Sequence, residues 1–164
     1  GFRGASGIDG TLSLGMGIAT SLGTTFLITG DLALIHDING WLLSTNNSPK
    51  LIVILIDNSG GGIFNQLKLD EFKKGDLEKL FVMPQMVDFF KVASAYGVSA
   101  RQVSCLDDLD PAIEWCLSKE GPSLIRVCTY PDKDNHLRLT IRDDLKEHLK
   151  KAIIQNESNA YCIE

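Results

Sequence analysis

The segment that decides the fold is Leu51-Ile52-Val53-Ile54-Leu55-Ile56, followed directly by Asp57-Asn58-Ser59-Gly60-Gly61-Gly62. A continuous apolar run of this length predicts a strand that is covered on both faces, as in parallel sheets. The polar and glycine residues after it predict a turn. A second strand is predicted over residues 24–29; it ends at Gly30-Asp31, and apolar residues at helical spacing follow. Two strands that both end in turn-forming residues therefore flank one predicted helix.

The rest of the chain continues this alternation. Strands are predicted over 98–103 and 123–128, and helices over 9–21, 86–96 and 109–116 and near the carboxyl terminus. Asp9 is expected to cap the first helix and Asp107 or Asp108 the helix over 109–116, whereas 68–82 is predicted to be a loop. The alternation predicts an α/β fold with a largely parallel central sheet and helices on both faces. We expect one domain over residues 1–155 and a polar tail over 156–164.

The composition excludes several classes of function. Hydrophobic residues make up 44% and charged residues 23% of the chain, which is ordinary for a globular protein. A net charge of −5 without a local basic stripe argues against nucleic-acid binding. The longest apolar run is too short to span a membrane, and the first residues lack the pattern of a signal peptide. Because the chain starts at Gly1 without an initiator Met, we expect a fragment or a processed chain.

The cysteines and histidines suggest no chemistry of their own. Cys105, Cys116, Cys128 and Cys162 show no C-x-x-C spacing, and the three histidines are scattered. A chain of this size folds without disulfides, so we expect buried, reduced thiols in a reducing compartment. Neither a zinc site nor a Cys–His dyad is predicted.

The two predicted strand ends carry the residues that favour a metal site. Open α/β sheets bind ligands outside the carboxyl ends of their strands, where Asp31 and Asn58 are expected to converge. A carboxylate, an amide oxygen and a backbone carbonyl at Gly60 are hard oxygen ligands of the kind that Mg2+ prefers, together with phosphate oxygens. Taken singly, Gly30-Asp31 also fits a helix N-cap, and Asn58-Ser59-Gly60 also fits a plain turn.

Gly30-Asp31 followed by Asn58 resembles the cofactor motif of thiamine-diphosphate (ThDP) enzymes of the transketolase and pyruvate-decarboxylase type. Within that superfamily the chain is similar to the SEPHCHC synthase family of menaquinone and phylloquinone biosynthesis. The similar segments are residues 3–10 (RGASGIDG), 30–32 (GDL), 36–40 (HDING), 58–64 (NSGGGIF) and 81–85 (FVMPQ). The first of these is much more specific than the metal motif, and the resemblance extends from residue 2 to about residue 130.

The resemblance implies a role for each matching residue. Mg2+, or Mn2+ in its place, would be held by Asp31, Asn58 and the Gly60 carbonyl. Contacts with ThDP are implied for a wider set, namely Gly7 and Ile8 at the aminopyrimidine, Gly30, Leu32 and Ala33 at the diphosphate, Ile63 at the thiazolium, and also Gly61. Contacts with substrate are implied for Arg3, as the partner of a carboxylate, and for Phe64 and Leu67.

On the residues alone, other interpretations stay open. Ile8 and Phe64 also fit an ordinary core, and Arg3 also fits a surface charge. Asp57 stands where related motifs often have Asn, and it either adds a carboxylate beside the metal or points away from it. No G-x-G-x-x-G opens a helix after a strand, which disfavours a plain nucleotide-binding Rossmann domain.

The resemblance also implies an activity and its partners. The family decarboxylates 2-oxoglutarate and adds the remaining succinyl unit to isochorismate, as a cytoplasmic homo-oligomer or, in photosynthetic eukaryotes, in the plastid stroma. Its activating glutamate comes from a pyrimidine-binding domain of another subunit, so we expect this chain alone to be inactive and assign it no catalytic residue. The alternatives are another ThDP decarboxylase, such as an acetolactate-synthase-like enzyme, and a non-catalytic ThDP-fold binding module.

Overall fold

A computed structural model describes residues 7–44, 48–66 and 74–160, and within these residues four strands form one parallel sheet. The strands are β1 (Thr25–Gly30), β2 (Leu51–Asp57), β3 (Ser99–Val103) and β4 (Ser123–Cys128), in the order β1-β2-β4-β3. Gly30 pairs with Ile56 and Asp57 pairs with Cys128, so the carboxyl ends of β1, β2 and β4 share one edge of the sheet. The predicted parallel α/β fold is confirmed.

The described part of the chain contains six α-helices. They are α1 (Thr11–Leu22), α2 (Asp31–His36), α3 (Lys74–Leu77), α4 (Phe89–Ala95), α5 (Leu109–Leu117) and α6 (Pro131–Ala160). Short 3-10 segments cover Ile38–Leu43, Gly62–Gln66 and Leu106–Asp108, and a π-helical turn covers Glu78–Val82. No helix of the described residues is both long and apolar enough to span a membrane.

Two local predictions were wrong. Residues 74–82 are helical and not a loop, because a mixed Lys, Glu, Asp and Leu composition is compatible with a helix as well as with a surface loop. The helix predicted around 86–96 begins only at Phe89, and Met86 is fully exposed. The start is set by Asp88, whose carboxylate accepts hydrogen bonds from the amides of Phe90 and Lys91.

One face of the sheet carries the larger core. Alternate side chains of the strands point to this face, where α1, α2 and α4 cover them. Trp41, from the 3-10 segment after α2, is completely buried there. The core on this face consists of Leu12, Met16, Ala19, Leu27, Leu34, Trp41, Leu51, Val53, Leu55, Phe89, Ala93, Val98 and Leu124.

The other face is covered over β3 and β4 and open over β1. Ala112 and Cys116 of α5 pack on strand residues of this face, namely Ile52, Val103 and Ile125. Phe26 and Ile28 of β1 are 48% and 69% exposed, so the apolar surface of the sheet continues past the part that α5 covers. Helices on both faces agree with the predicted layers.

The first helix is capped from a distant segment. Gly10 and not Asp9 occupies the N-cap position of α1, and no side chain caps the helix from that position. Asp37 instead accepts hydrogen bonds from the Ser13 amide at 2.7 Å and from the Ser13 hydroxyl at 2.9 Å. Gly40 allows the two segments to approach, since a Cβ there would lie 2.8 Å from the Ser13 nitrogen. Asp37 therefore caps the first turn of α1 from a distant segment.

The carboxyl end of α5 is held by a residue that sequence patterns did not indicate. Lys50 donates from Nζ to the carbonyls of Cys116 and Leu117, at 2.9 and 3.1 Å, and to that of Lys119. At the other end Asp108 occupies the N-cap position but makes no side-chain cap bond to α5. Its carboxylate accepts hydrogen bonds from the amides of Ser104 and Cys105, which fixes the turn that precedes the helix.

The chain divides into two compact units, which span Gly1–Thr129 and Tyr130–Glu164. The predicted boundary at residue 155 lies inside α6, whose backbone remains helical to Ala160. The extent of the cofactor domain stays a prediction.

The described cysteines are free thiols, but their burial differs from what we expected. Cys116 is buried, whereas Cys105 and Cys128 are exposed because they lie where β3 and β4 end and strand packing stops. Cys162 lies outside the described residues.

Candidate metal and cofactor site

Asp31 lies where β1 passes into α2, at the carboxyl edge of the sheet. Its side chain is 3% exposed. One carboxylate oxygen accepts a hydrogen bond from the Leu32 amide at 2.8 Å, and the other accepts one from the Gly60 amide at 2.6 Å. Because β1 and β2 are neighbours, the two turns predicted from sequence lie side by side.

The turn after β2 is held by two carboxylates. Asp57 accepts a hydrogen bond from the Ser59 amide at 3.0 Å, the arrangement of an Asx-turn, while Asp31 holds the next amide, that of Gly60. The backbone is left-handed at Ser59, with φ 62°, and φ is 127° at Gly60. A side chain at Gly60 is excluded twice, since a Cβ there would also lie 2.3 Å from the carbonyl oxygen of Val82.

Asn58 lies between Asp57 and the two held amides. Its side-chain oxygen is buried and has no hydrogen-bond partner among the described residues. An amide oxygen removed from water without a partner is destabilising, and buried polar groups of native proteins nearly always have one. Gly62 makes room for this side chain, because a Cβ at Gly62 would lie 2.7 Å from the Asn58 side-chain nitrogen. The geometry thus presents an oxygen donor that lacks a protein partner.

The electrostatics of the site distinguish its two carboxylates. Burial raises the pKa of Asp31 above its ordinary value, the hydrogen bonds from Leu32 and Gly60 oppose that rise, and the nearby Asp57 adds to it. Asp57 itself is 5% exposed and forms an ion pair with Arg126, whose Nε and Nη2 lie 2.7 and 2.6 Å from one carboxylate oxygen. The Asp57 question left open by the sequence is answered: its carboxylate faces Arg126 and the Ser59 amide.

A second segment closes the far side of the turn. The amide of Gly61 donates to the Val82 carbonyl at 2.6 Å, and a Cβ at Gly61 would lie 2.4 Å from the Phe81 carbonyl oxygen. The rings of Phe64 and Phe81 meet edge to face with their centroids 5.5 Å apart. Residues 81–82 therefore lie directly against the glycine turn, and the glycines there permit that contact.

The other residues predicted to meet the cofactor or substrate occupy different surroundings. Gly30 is extended with open space around it, and Leu32 and Ala33 are half-buried in α2. Ile8 is 45% and Ile63 67% exposed, Gly7 is exposed, and Phe64 is half-buried. Arg3 and Leu67 lie outside the described residues. The ligand roles of all these residues stay predictions.

Two contributors to the site were not found by sequence reasoning. Arg126 lies within a strand, where its charge in an otherwise apolar run was a signal that went unused. Val82 acts through its backbone carbonyl, which no side-chain pattern reveals.

Comparison with known proteins identifies the class to which this fold and site belong. The family described as thiamine pyrophosphate enzyme, C-terminal TPP binding domain, matches residues 2–127, and the chain belongs to that family. The predicted superfamily is therefore confirmed. The benzoylformate decarboxylase of Polynucleobacter necessarius has a similar fold, with a TM-score of 0.60 at 21% identity over 76% of this chain and 23% of that one.

More specific similarity is to one group of proteins. The chain is 57% identical over 153 residues to the 2-succinyl-5-enolpyruvyl-6-hydroxy-3-cyclohexene-1-carboxylate (SEPHCHC) synthase of Prochlorococcus marinus strain NATL1A, covering 93% of this chain and 26% of that protein. The synthase of the same name from Synechococcus sp. strain CC9311 is 54% identical over 146 residues, which cover 89% of this chain and 25% of the relative. The chain thus spans about a quarter of the length of these curated relatives.

Proposed function

We propose that this chain is the ThDP-diphosphate-binding part of a SEPHCHC synthase, and that Asp31, Asn58 and the Gly60 carbonyl hold Mg2+. The observation that carries the proposal is the buried Asn58 oxygen without a protein partner, beside a carboxylate that is tied to Gly60. The 54–57% identity to named synthases supports the narrower activity.

The donor set fits the proposed ion. Mg2+ binds six oxygen ligands in octahedral geometry, and phosphate oxygens are often among them. One carboxylate, one amide oxygen and one backbone carbonyl leave three positions for diphosphate oxygens and water. Mn2+ accepts the same oxygen donors and is the natural substitute. An amide oxygen that would coordinate a cation also explains why the protein tolerates its burial without a hydrogen bond.

The residues around the proposed metal site are assigned to the parts of ThDP from the resemblance to the family. Gly30 lies in open space next to Asp31, so backbone there leaves room for a diphosphate. The exposed side chains of Ile8 and Ile63 offer apolar surface to an aromatic ring. We assign the cofactor to Gly7, Ile8, Gly30, Asp31, Leu32, Ala33, Asn58, Gly60, Gly61 and Ile63, and the substrate to Arg3, Phe64 and Leu67.

In the proposed reaction, 2-oxoglutarate loses CO2 and the remaining four-carbon unit is joined to isochorismate. When bound, ThDP supplies the carbanion-stabilising chemistry. The chain's own share is binding and orientation: Asp31 and Asn58 hold the cation, the glycine turn brings backbone close to the phosphates, and Arg3 pairs with a substrate carboxylate.

Turnover is proposed to need more than these residues. The relatives are about four times as long as the matched region, and we propose that a pyrimidine-binding domain, contributed by another subunit of a cytoplasmic homo-oligomer, supplies the activating glutamate. The 164-residue chain should therefore bind Mg2+ and ThDP but not convert both substrates.

Calorimetric titration of ThDP in the presence of Mg2+ tests the metal assignment. We expect saturable, Mg2+-dependent binding by the wild-type chain, and at least tenfold weaker binding by Asp31→Asn and Asn58→Leu. Asp107→Asn, an exposed aspartate of the turn before α5, is the matched control and should bind like wild type. Binding that survives both site variants would contradict the ligand assignment, and absence of binding by the folded wild-type chain would contradict the proposal that this chain holds the cofactor by itself.

A further inference from the structure

A partly buried ion pair lies next to the proposed metal site. Asp57 is the last residue of β2 and immediately precedes Asn58. Both of its carboxylate oxygens are engaged, one with the Ser59 amide at 3.0 Å and the other with two nitrogens of Arg126 at 2.6 and 2.7 Å. The carboxylate that shapes the turn is thus the same one that Arg126 neutralises.

The position of Arg126 is fixed by its surroundings. It lies on β4, next to β2, where it pairs in register with Leu55. Its guanidinium carbon lies 5.9 Å from the ring centroids of both Phe89 and Phe90 at the start of α4, and its side chain is 27% exposed. Aromatic contacts of this kind favour a guanidinium over an ammonium group, so the cation is held in one place.

The ion pair affects the charge that a bound diphosphate would meet. A divalent cation accepts nearby carboxylates, but a diphosphate is repelled by each carboxylate that no cation compensates. Asp31 and Asp57 accept hydrogen bonds from the consecutive amides of Gly60 and Ser59, so both carboxylates lie against the same turn. Without Arg126, two buried carboxylates would face the incoming diphosphate through one metal ion, and an unpaired buried carboxylate would also loosen the turn.

We propose that Arg126 is a positioning residue of the cofactor site: by neutralising Asp57 it keeps the Asn58–Gly60 turn in place and lets the site accept an anionic diphosphate together with its metal. This inference rests on the proposed function. It gives the Asp57 carboxylate a structural role, as the partner of Arg126 and of the Ser59 amide, and not a role as a metal ligand.

The test compares the affinity for a metal ion alone with the affinity for ThDP in the presence of the metal ion. We expect Arg126→Met to bind ThDP about tenfold more weakly at saturating Mg2+, while its affinity for Mn2+ alone, measured from the free-ion EPR signal, falls less than threefold because the uncompensated Asp57 charge attracts the cation and offsets the looser turn. Asp57→Asn combined with Arg126→Met removes both charges and should restore ThDP affinity to within about twofold of wild type. Arg126→Lys keeps the charge without the planar donor and should fall between wild type and Arg126→Met. Arg101→Met, an exposed arginine of β3, is the matched control and should change neither affinity.

A purely structural role predicts different results. Parallel loss of Mn2+ and ThDP affinity in Arg126→Met, or a double variant as weak as the single one, would overturn the proposal. If the wild-type chain binds no ThDP, the proposal that it holds the cofactor by itself fails, and hydrogen exchange then decides the positioning role. In that case the Ser59 amide should exchange at least tenfold faster in Arg126→Met than in wild type, and unchanged exchange in a variant that melts at the wild-type temperature would overturn it.

Discussion

The carboxylate of Asp31 accepts a hydrogen bond from the amide of Gly60 at 2.6 Å, which joins the ends of two neighbouring strands across 29 positions of sequence. The bond joins the carboxylate to the turn through protein atoms alone. Preorganised donors lose less conformational freedom on binding, so the geometry favours affinity for an ion that both segments contact.

Gly60 is expected to be intolerant of a side chain, and Gly30 tolerant. Gly60→Ala should lower the free energy of unfolding by about 2 kcal/mol or more, because φ is 127° there and the added Cβ would meet the Val82 carbonyl. Gly30→Ala, at a position with ordinary φ and open space, should leave stability within about 0.5 kcal/mol of wild type. Urea denaturation measures both, and equal effects would contradict the clash with Val82.

Two glycines in α1 should respond in opposite ways to alanine. Gly17 has open space around the position of a Cβ, so Gly17→Ala should stabilise the chain by about 0.5–1 kcal/mol through helix propensity. At Gly15 a Cβ would lie 3.2 Å from a methyl carbon of Leu27, so the same change should gain less or destabilise. Thermal unfolding of the two variants measures the difference. A larger gain in stability for Gly15→Ala than for Gly17→Ala would contradict the observed packing of α1 on β1.

Lys50 is expected to stabilise the end of α5. Lys50→Met removes a cation that donates to three carbonyls at the carboxyl end of this helix and should lower stability by about 1.5 kcal/mol. Lys150→Met, an exposed lysine of α6, serves as the control and should have little effect. Chemical denaturation at low and high salt measures the loss, and a loss no larger than that of the control would show that the cap contributes nothing.

The pH dependence of stability should reveal the cap of α4. Hydrogen bonds to the Asp88 carboxylate, first of all from the Lys91 amide, lower its pKa below the ordinary value for aspartate. A group whose pKa is lower when folded stabilises the fold above its unfolded pKa, and the contribution disappears as the pH falls through its folded pKa. Asp88→Asn keeps a capping side chain without the charge, so the wild-type advantage in melting temperature at pH 7 should vanish in the acid range below about pH 4. A difference that is constant from pH 7 to pH 3 would rule out the charged cap.

Sequence patterns predicted the sheet well because its central strand is unambiguous. The apolar run from Leu51 to Ile56 has no other reasonable structure in a chain of this kind, and the turn residues after it placed Asn58 at the correct edge. Long-range capping was beyond such patterns. Asp37 reaches Ser13, and Lys50 reaches the carbonyls of α5, through tertiary packing that no local spacing encodes.

Prediction of the candidate site from sequence was limited for the same reason. Asp31 and Asn58 were predicted to meet because parallel strands align their carboxyl ends. That Asp57 faces Arg126 depends on the order of β2 and β4 in the sheet, and β4 is separated from β2 in sequence by β3. Strand order is set by the whole chain, so neither residue could be paired from its own neighbourhood.

The bond between the Gly61 amide and the Val82 carbonyl closes residues 61–82 into an excursion of the chain whose two ends lie at the site. The entropy of closing such an excursion changes only slowly with its length, so residues can be added or exchanged inside it at little thermodynamic loss. The metal turn before it and the anchoring carbonyl after it would keep their places. Evolution or a protein engineer could therefore reshape the part of this excursion that follows Ile63 to accept a new substrate without rebuilding the metal-binding turn.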